Sequence, residues 1–121
     1  MKKIWEGNWT SGSITVPELP YYNAFLFTSY TPNLVGSHAI LACKTINDDP
    51  NESNIKIRGA NAVYERANTA MHIFSLGAII KKNNPTVLTT SDPEYPGIHD
   101  MFVNKSGWSV DLLVDGIYGL L

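Results

Sequence analysis

Glycine and proline divide this chain at short intervals, and that spacing limits the folds it can adopt. Between the breaks lie short runs rich in Ile, Val, Thr, Tyr and Phe, residues that favour pleated strands. Short strands separated by turns are typical of an all-β sandwich or barrel. We therefore predict an all-β fold, an antiparallel and jelly-roll-like β-sandwich that forms one domain over residues 1–121. The breaks fall at Gly7, Gly12, Pro17, Pro20, Pro32, Gly36, Pro50, Gly59, Pro85, Pro93, Pro96, Gly107 and Gly116.

Two runs alternate between apolar and polar residues, as half-buried strands do. In residues 55–58, two isoleucines alternate with Lys56 and Arg58. Residues 108–115 alternate in the same way, with Leu113 as the exception. Each run predicts an antiparallel strand with one face on the core.

Residues 39–46 are apolar on both faces near their start, which predicts a central strand. We expect another layer to cover one side, and a loop or a neighbouring subunit to cover the other. Cys43 lies in this run and is the only cysteine, so it cannot form an internal disulfide. We expect it to be a packed, buried thiol.

Residues 62–80 fit two kinds of secondary structure. Their Asn, Ser and Gly residues are weak helix formers. We predict two strands, Ala62–Arg66 and Ala70–Ile80, joined by a turn at Ala67–Asn68, with a single helix as the alternative. A hairpin turn at residues 81–86 then leads to a strand over residues 86–90. The residues at helical spacing are Val63, Ala67, Ala70, Met71, Phe74 and Ala78.

Charge and motifs argue against several classes of function. A net charge of -2 with scattered Lys and Arg residues gives no footprint for nucleic acid or an anionic membrane. No apolar run approaches the roughly 20 residues that span a bilayer, and no apolar segment follows the first lysines as in a signal peptide. His38, His72 and His99 lack metal-ligand spacing, and no nucleophile elbow or phosphate-binding loop occurs. We expect a protein without cofactor, metal or enzymatic activity.

One loop has the residue types of a sugar-binding surface. Tyr95 lies between two prolines and could stack on a sugar ring, while Asp92, His99 and Asp100 could hold its hydroxyl groups. This set predicts a ligand-binding site, and a carbohydrate-binding module is the alternative function. A weaker hypothesis is a hydrolase that uses the carboxylates of Asp92, Glu94 and Asp100.

The two ends of the chain share a pattern. A W-x-G opening, a G-S-I-T-V run, a Y-N-x-F run and a closing G-I-Y-G resemble a domain of tail, baseplate and other minor structural proteins of phages that infect Gram-positive bacteria. The resemblance implies a non-enzymatic virion module: a tail, baseplate or capsid-decoration protein, assembled in the host cytoplasm as a homotrimer. It also implies contacts with other virion proteins, but it assigns no site residue. If such a module binds a receptor that is a host cell-wall polysaccharide, the virion function and the carbohydrate-binding alternative coincide. The matching residues are Trp5, Gly7, Gly12, Ser13, Ile14, Thr15, Val16, Tyr22, Asn23, Phe25, Ile117, Tyr118 and Gly119.

Overall fold

Nearly all of the chain that the structure describes is β-strand. The computed structural model describes residues 1–31, 36–45, 51–65, 70–90, 98–102 and 109–120. A short 3₁₀ helix, Leu19–Tyr21, precedes the third strand. The predicted all-β class is confirmed. The strands are β1 (Lys2–Trp9), β2 (Ser13–Thr15), β3 (Ala24–Thr31), β4 (Gly36–Lys44), β5 (Asn54–Glu65), β6 (Ala70–Lys81), β7 (Asn84–Thr90), β8 (Ile98–Phe102), β9 (Ser109–Leu112) and β10 (Val114–Leu120).

The strands form one antiparallel sheet that is nearly closed into a barrel-like shape. Its main path runs in the order β1-β10-β3-β4-β5-β6-β7-β2. The sheet branches at β6, where residues 78–81 pair with β7 and residues 72–76 pair with β8. β8 pairs in turn with β9. Only Leu113 separates β9 from β10. The branch formed by β8 and β9 is therefore joined covalently to β10, a strand of the main path.

The region that fitted two secondary structures consists of two strands, as predicted, but the first of them starts earlier than the predicted Ala62. β5 ends at Glu65 and β6 begins at Ala70, while the predicted turn at Ala67–Asn68 lies outside the described residues. β5 begins at Asn54, so the alternating run at residues 55–58 belongs to the same strand. The predicted hairpin that follows is also present, and its turn is only two residues long, residues 82–83.

Strict alternation along β6 builds the centre of the core. Every second residue from His72 to Ile80 is buried, and the positions between them face outward. Ile57 on β5 and Leu88 on β7 extend the same buried layer, and Phe25 and Phe27 on β3 lie with their ring centroids 6.2 Å apart within it. Period-two burial of this kind is what one-sided packing of a sheet requires. The buried apolar residues are Trp9, Val16, Leu19, Phe25, Phe27, Ile40, Ala42, Ile57, Phe74, Leu76, Ala78, Ile80, Leu88, Ile98, Leu112, Val114 and Ile117.

The expectation of a buried Cys43 is wrong, because the alternation of β4 places it on the outer face. Ile40 and Ala42 are buried, whereas Leu41 is 55% exposed and Cys43 is exposed. Apolar character on both faces of a strand does not reveal which set of alternate residues faces the core. Within the single chain, the outer side of β4 at Leu41 is open to solvent.

The motifs at the two ends of the chain contain two kinds of feature. Aromatic rings pack directly on glycines, and the backbone makes a tight turn at Gly12. The Trp5 indole lies so close to Gly7 that an added Cβ would be 2.8 Å from it. The ring of Tyr22 covers Gly119 on β10, where an added Cβ would be 2.6 Å away. Trp9 is buried and donates its indole N–H to the carbonyl of Gly12 at 3.2 Å, and Gly12 has a φ of 75°. Only glycine adopts that backbone conformation without strain.

The contact between Tyr22 and Gly119 predicts a measurable cost for a single methyl group. We expect Gly119→Ala to lower the free energy of unfolding by about 1–3 kcal/mol, because the ring must move out of a packed site. Denaturant unfolding checks this. The same substitution in a Tyr22→Ala background should cost much less, since the ring is gone. An equal cost in both backgrounds would contradict the explanation.

Candidate functional site

The structure describes only part of the sugar-binding set predicted from the sequence. Asp92, Glu94 and Tyr95 lie outside the described residues, so their share of that site stays a prediction. His99 and Asp100 are consecutive residues of β8, and His99 is half-buried. The structure thus gives the strand position of both residues and the burial of His99, and the predicted site as a whole stays a prediction.

A group of polar residues lies in the interior around the ring of Phe74. The ring centroid of His38 is 4.2 Å from that of Phe74, and the His72 ring stacks on Phe74 at 5.7 Å. Ser29 lies opposite His38 in the β3–β4 ladder. Ser29 and His72 are each only 1% exposed, so a substrate cannot reach them in this conformation. Within the described residues, no three His, Cys, Asp or Glu side chains are grouped closely enough to hold a metal ion.

The outer surface of β5, β6 and β8 carries a continuous apolar patch, which we call the methionine face. It consists of Ala62, Tyr64, Met71, Ile73 and Met101. Tyr64 is paired with Met71, and Ile73 is paired with both Ala62 and Met101. Tyr64 is 54% exposed, Met101 45% and Met71 37%. Cross-strand pairing thus brings large apolar side chains from three strands together on the surface.

Charge distinguishes the methionine face from the other end of the same hairpin. None of its five residues is charged, whereas Lys56 and Arg58 are exposed nearer the start of β5. A contiguous apolar patch of this kind marks an interaction surface more often than scattered single residues do. Met and Tyr are also enriched at the centres of protein interfaces. This arrangement can exclude water against a second apolar surface, but it offers no group for chemistry.

A second feature is a basic groove, defined here by Ala24, Cys43, Lys44, Ile55 and Lys82. It lies where β3 begins, β4 ends and β5 begins, and it encloses about 560 Å³. The Lys44 ammonium group donates to the carbonyl of Leu19 at 2.8 Å. Burial lowers the pKa of Lys44 below its ordinary value. The groove therefore combines two cationic side chains with apolar walls.

The predicted strand Ala70–Ile80 held a signal for the methionine face that the helical alternative does not contain. At helical spacing, Met71 and Phe74 fall in one stripe, as if they shared a face. In a strand, where side chains alternate with a period of two, Met71 and Ile73 lie on the face opposite to His72 and Phe74. They are then large apolar residues that face outward. No comparable signal predicts the basic groove, because its residues come from separate segments and meet only through the fold.

Comparisons with known proteins leave the chain without an assigned relative. No protein-family model, curated protein or solved structure matches it. Across the described residues, no helix has the length and apolar character needed to cross a membrane. The described surfaces and the motifs at the ends of the chain are the features that bear on function.

The interior around Phe74 predicts a stabilising substitution. The Ser29 hydroxyl is buried and finds no hydrogen-bond partner among the described residues. We expect Ser29→Ala to raise the free energy of unfolding by about 1 kcal/mol, because it removes an unsatisfied polar group. Thr28→Val on the same strand is the control and should lower it, since the Thr28 hydroxyl donates to Asp115 at 2.6 Å. Denaturant unfolding measures both, and a loss of stability in Ser29→Ala would contradict the prediction.

Proposed function

We propose that this protein is a non-enzymatic structural module of a virion that assembles with copies of itself through the methionine face. The observation that carries the self-association is the exposed apolar patch of Tyr64, Met71 and Met101 on adjacent strands. Burying such a patch releases ordered water and is favourable in proportion to its apolar area. An assembly protein needs such a surface and no reactive group within it.

The absence of charge on the methionine face favours a second copy of this chain as its partner. In a homotrimer, residues close to the three-fold axis meet their own copies, so charged residues placed there would be brought together as like charges. We place the methionine face at that axis. The face avoids this repulsion because its residues are apolar or, in Tyr64, uncharged. A partner of different sequence selected by charge would instead require Lys, Arg, Asp or Glu within the patch.

The virion assignment is supported by the resemblance of the two ends to phage tail and baseplate proteins. The residues behind that resemblance include Trp5, Gly7, Tyr22 and Gly119, and their ring-on-glycine contacts are scaffold contacts. Such contacts support a shared framework rather than a shared ligand site. These contacts are compatible with a tail, baseplate or capsid-decoration protein alike, and they indicate no receptor.

Self-association is tested by measuring mass in solution. We expect a homotrimer, with three times the 13.4 kDa of one chain, in sedimentation or light scattering at micromolar concentration. Tyr64→Glu should weaken the association at least about tenfold, because it places a carboxylate within a desolvated apolar contact. Circular dichroism should show that the β-structure of this variant is retained.

The matched control for that variant is Lys56→Gln. It changes the charge of β5 by the same amount, at an exposed position outside the methionine face. Its mass should equal that of the unmodified protein. A monomer of the unmodified protein at micromolar concentration would refute the self-association. Equal weakening by the two variants would refute the methionine face as its site.

The virion role has its own test. We expect mass spectrometry to detect the protein in phage particles purified from its source, at a stoichiometry that is a multiple of three. We also expect genes for capsid or tail proteins beside its own gene. A protein that is abundant in the lysate but absent from washed particles would contradict the virion role and leave self-association unaffected.

A further inference from the structure

The basic groove holds a partly desolvated cation that has no counter-charge among the described residues. Lys44 is half-buried, and its ammonium nitrogen lies 5.8 Å from the centroid of the Phe25 ring. An ammonium group has three N–H donors, and the structure shows one of them bound, to the carbonyl of Leu19. No carboxylate among the described residues forms an ion pair with Lys44. An anion in the groove would supply a charge and acceptors that the described residues do not supply to Lys44.

Lys82 brings a second cation to the same groove. It follows β6 in a two-residue turn, and its backbone N–H donates to the carbonyl of Ser53 at 2.9 Å. This bond fixes the turn against the segment that leads into β5. Elsewhere in the described residues, Lys2 and Lys3 are neutralised by Glu18 and Glu6 at 2.7 Å. Lys82, like Lys44, has no carboxylate partner within the described part of the chain.

The walls of the groove favour an organic ligand over a bare ion. Ala24 and Ile55 line the groove together with the two lysines and give it apolar surface. A volume of about 560 Å³ lies within the size range of small-molecule sites. Burying an apolar ligand body against these walls adds the hydrophobic contribution to the charge interaction.

We propose that the basic groove binds an organic anion, a carboxylate or phosphate group carried on a small apolar body. Lys44 and Lys82 bind the anionic group, and Ala24 and Ile55 contact the apolar body. This site is separate from the methionine face. Lys81, the neighbour of Lys82, pairs with Asn54 at the start of β5, whereas Met71 pairs with Tyr64 near the end of β5. The proposal therefore stands whether or not the chain self-associates.

Cys43 provides a direct reporter, because it is the only cysteine, it is exposed and it lines the groove. The experiment compares its rate of reaction with an anionic aromatic disulfide, dithiobis(nitrobenzoate), and a neutral one, dithiodipyridine. In each case the Cys43 thiolate attacks the reagent, a mixed disulfide forms and the aromatic thiolate leaves. The ratio of the two rates isolates the attraction of the groove for an anion.

Charge-matched variants on one turn test the role of Lys82. We expect Lys82→Gln to lower the anionic-to-neutral rate ratio by about threefold or more, because a groove cation that attracts the reagent is lost. Lys81→Gln removes the same charge from the adjacent exposed position and should leave the ratio unchanged. Lys44→Gln should act as Lys82→Gln does. An equal fall in the Lys81 and Lys82 variants would overturn the site.

Protection of Cys43 by small ligands tests binding itself. Phenyl phosphate and benzoate are added separately to the unmodified protein, and the reaction of Cys43 with the neutral disulfide is followed. We expect at least one of them to slow the reaction with saturation, and the choice between them identifies the anionic group. Lys82→Gln should weaken that protection. If neither protects with saturation, the binding proposal is wrong. If inorganic phosphate protects as well as phenyl phosphate, the apolar part of the proposal is wrong.

Discussion

The fold depends on β6, a single strand that forms ladder hydrogen bonds with two different strands along the same edge. Its later residues pair with β7 and its earlier residues with β8, while β5 runs along its whole length on the other side. The branch lets one sheet fold back on itself, because β9 continues into β10 after one residue. The alternation of β6 also separates the core residues Phe74 and Leu76 from the outward-facing Met71 and Ile73. Closure of the sheet and the apolar patch on its surface thus come from the same strand.

The fold class could be predicted because it depends on local features. Glycine and proline breaks mark the turns, and β-branched and aromatic runs mark the strands between them. It was harder to predict which of the two sets of alternate residues in a strand faces the core, as Cys43 shows. When a run is apolar on both faces, either set could pack in the core, so only the neighbouring strands decide which residues point inward. Leu41 and Cys43 therefore face outward, although their side chains would also suit the core.

Surfaces that form from distant segments were less predictable than the strands that form them. Lys44 and Lys82 line the same groove only after β4, β5 and β6 have paired, and nothing in either local sequence indicates a groove. The sequence indicated part of the methionine face, since Met71 and Ile73 are large apolar residues at alternate positions of a predicted strand. The helical stripe competed with that pattern because periods of 2.0 and 3.6 share some positions over a short run. The weak helix formers in the run favoured strands, and the pairing of β6 with β5 and β8 agrees with that local preference.

The ring-on-glycine contacts lie beside a ladder whose geometry has a mechanical consequence. Lys2 is paired with Gly119, so β1 and β10 present residues 2 and 119 at the same end of their ladder. Tension applied through these two residues opens the ladder one pair at a time, because each pair bears the load only after the previous pair has parted. A ladder pulled from opposite ends would instead share the load among all of its pairs. The contact of Tyr22 with Gly119 lies at the first of these pairs, so it would be among the first packing contacts to bear a pulling force.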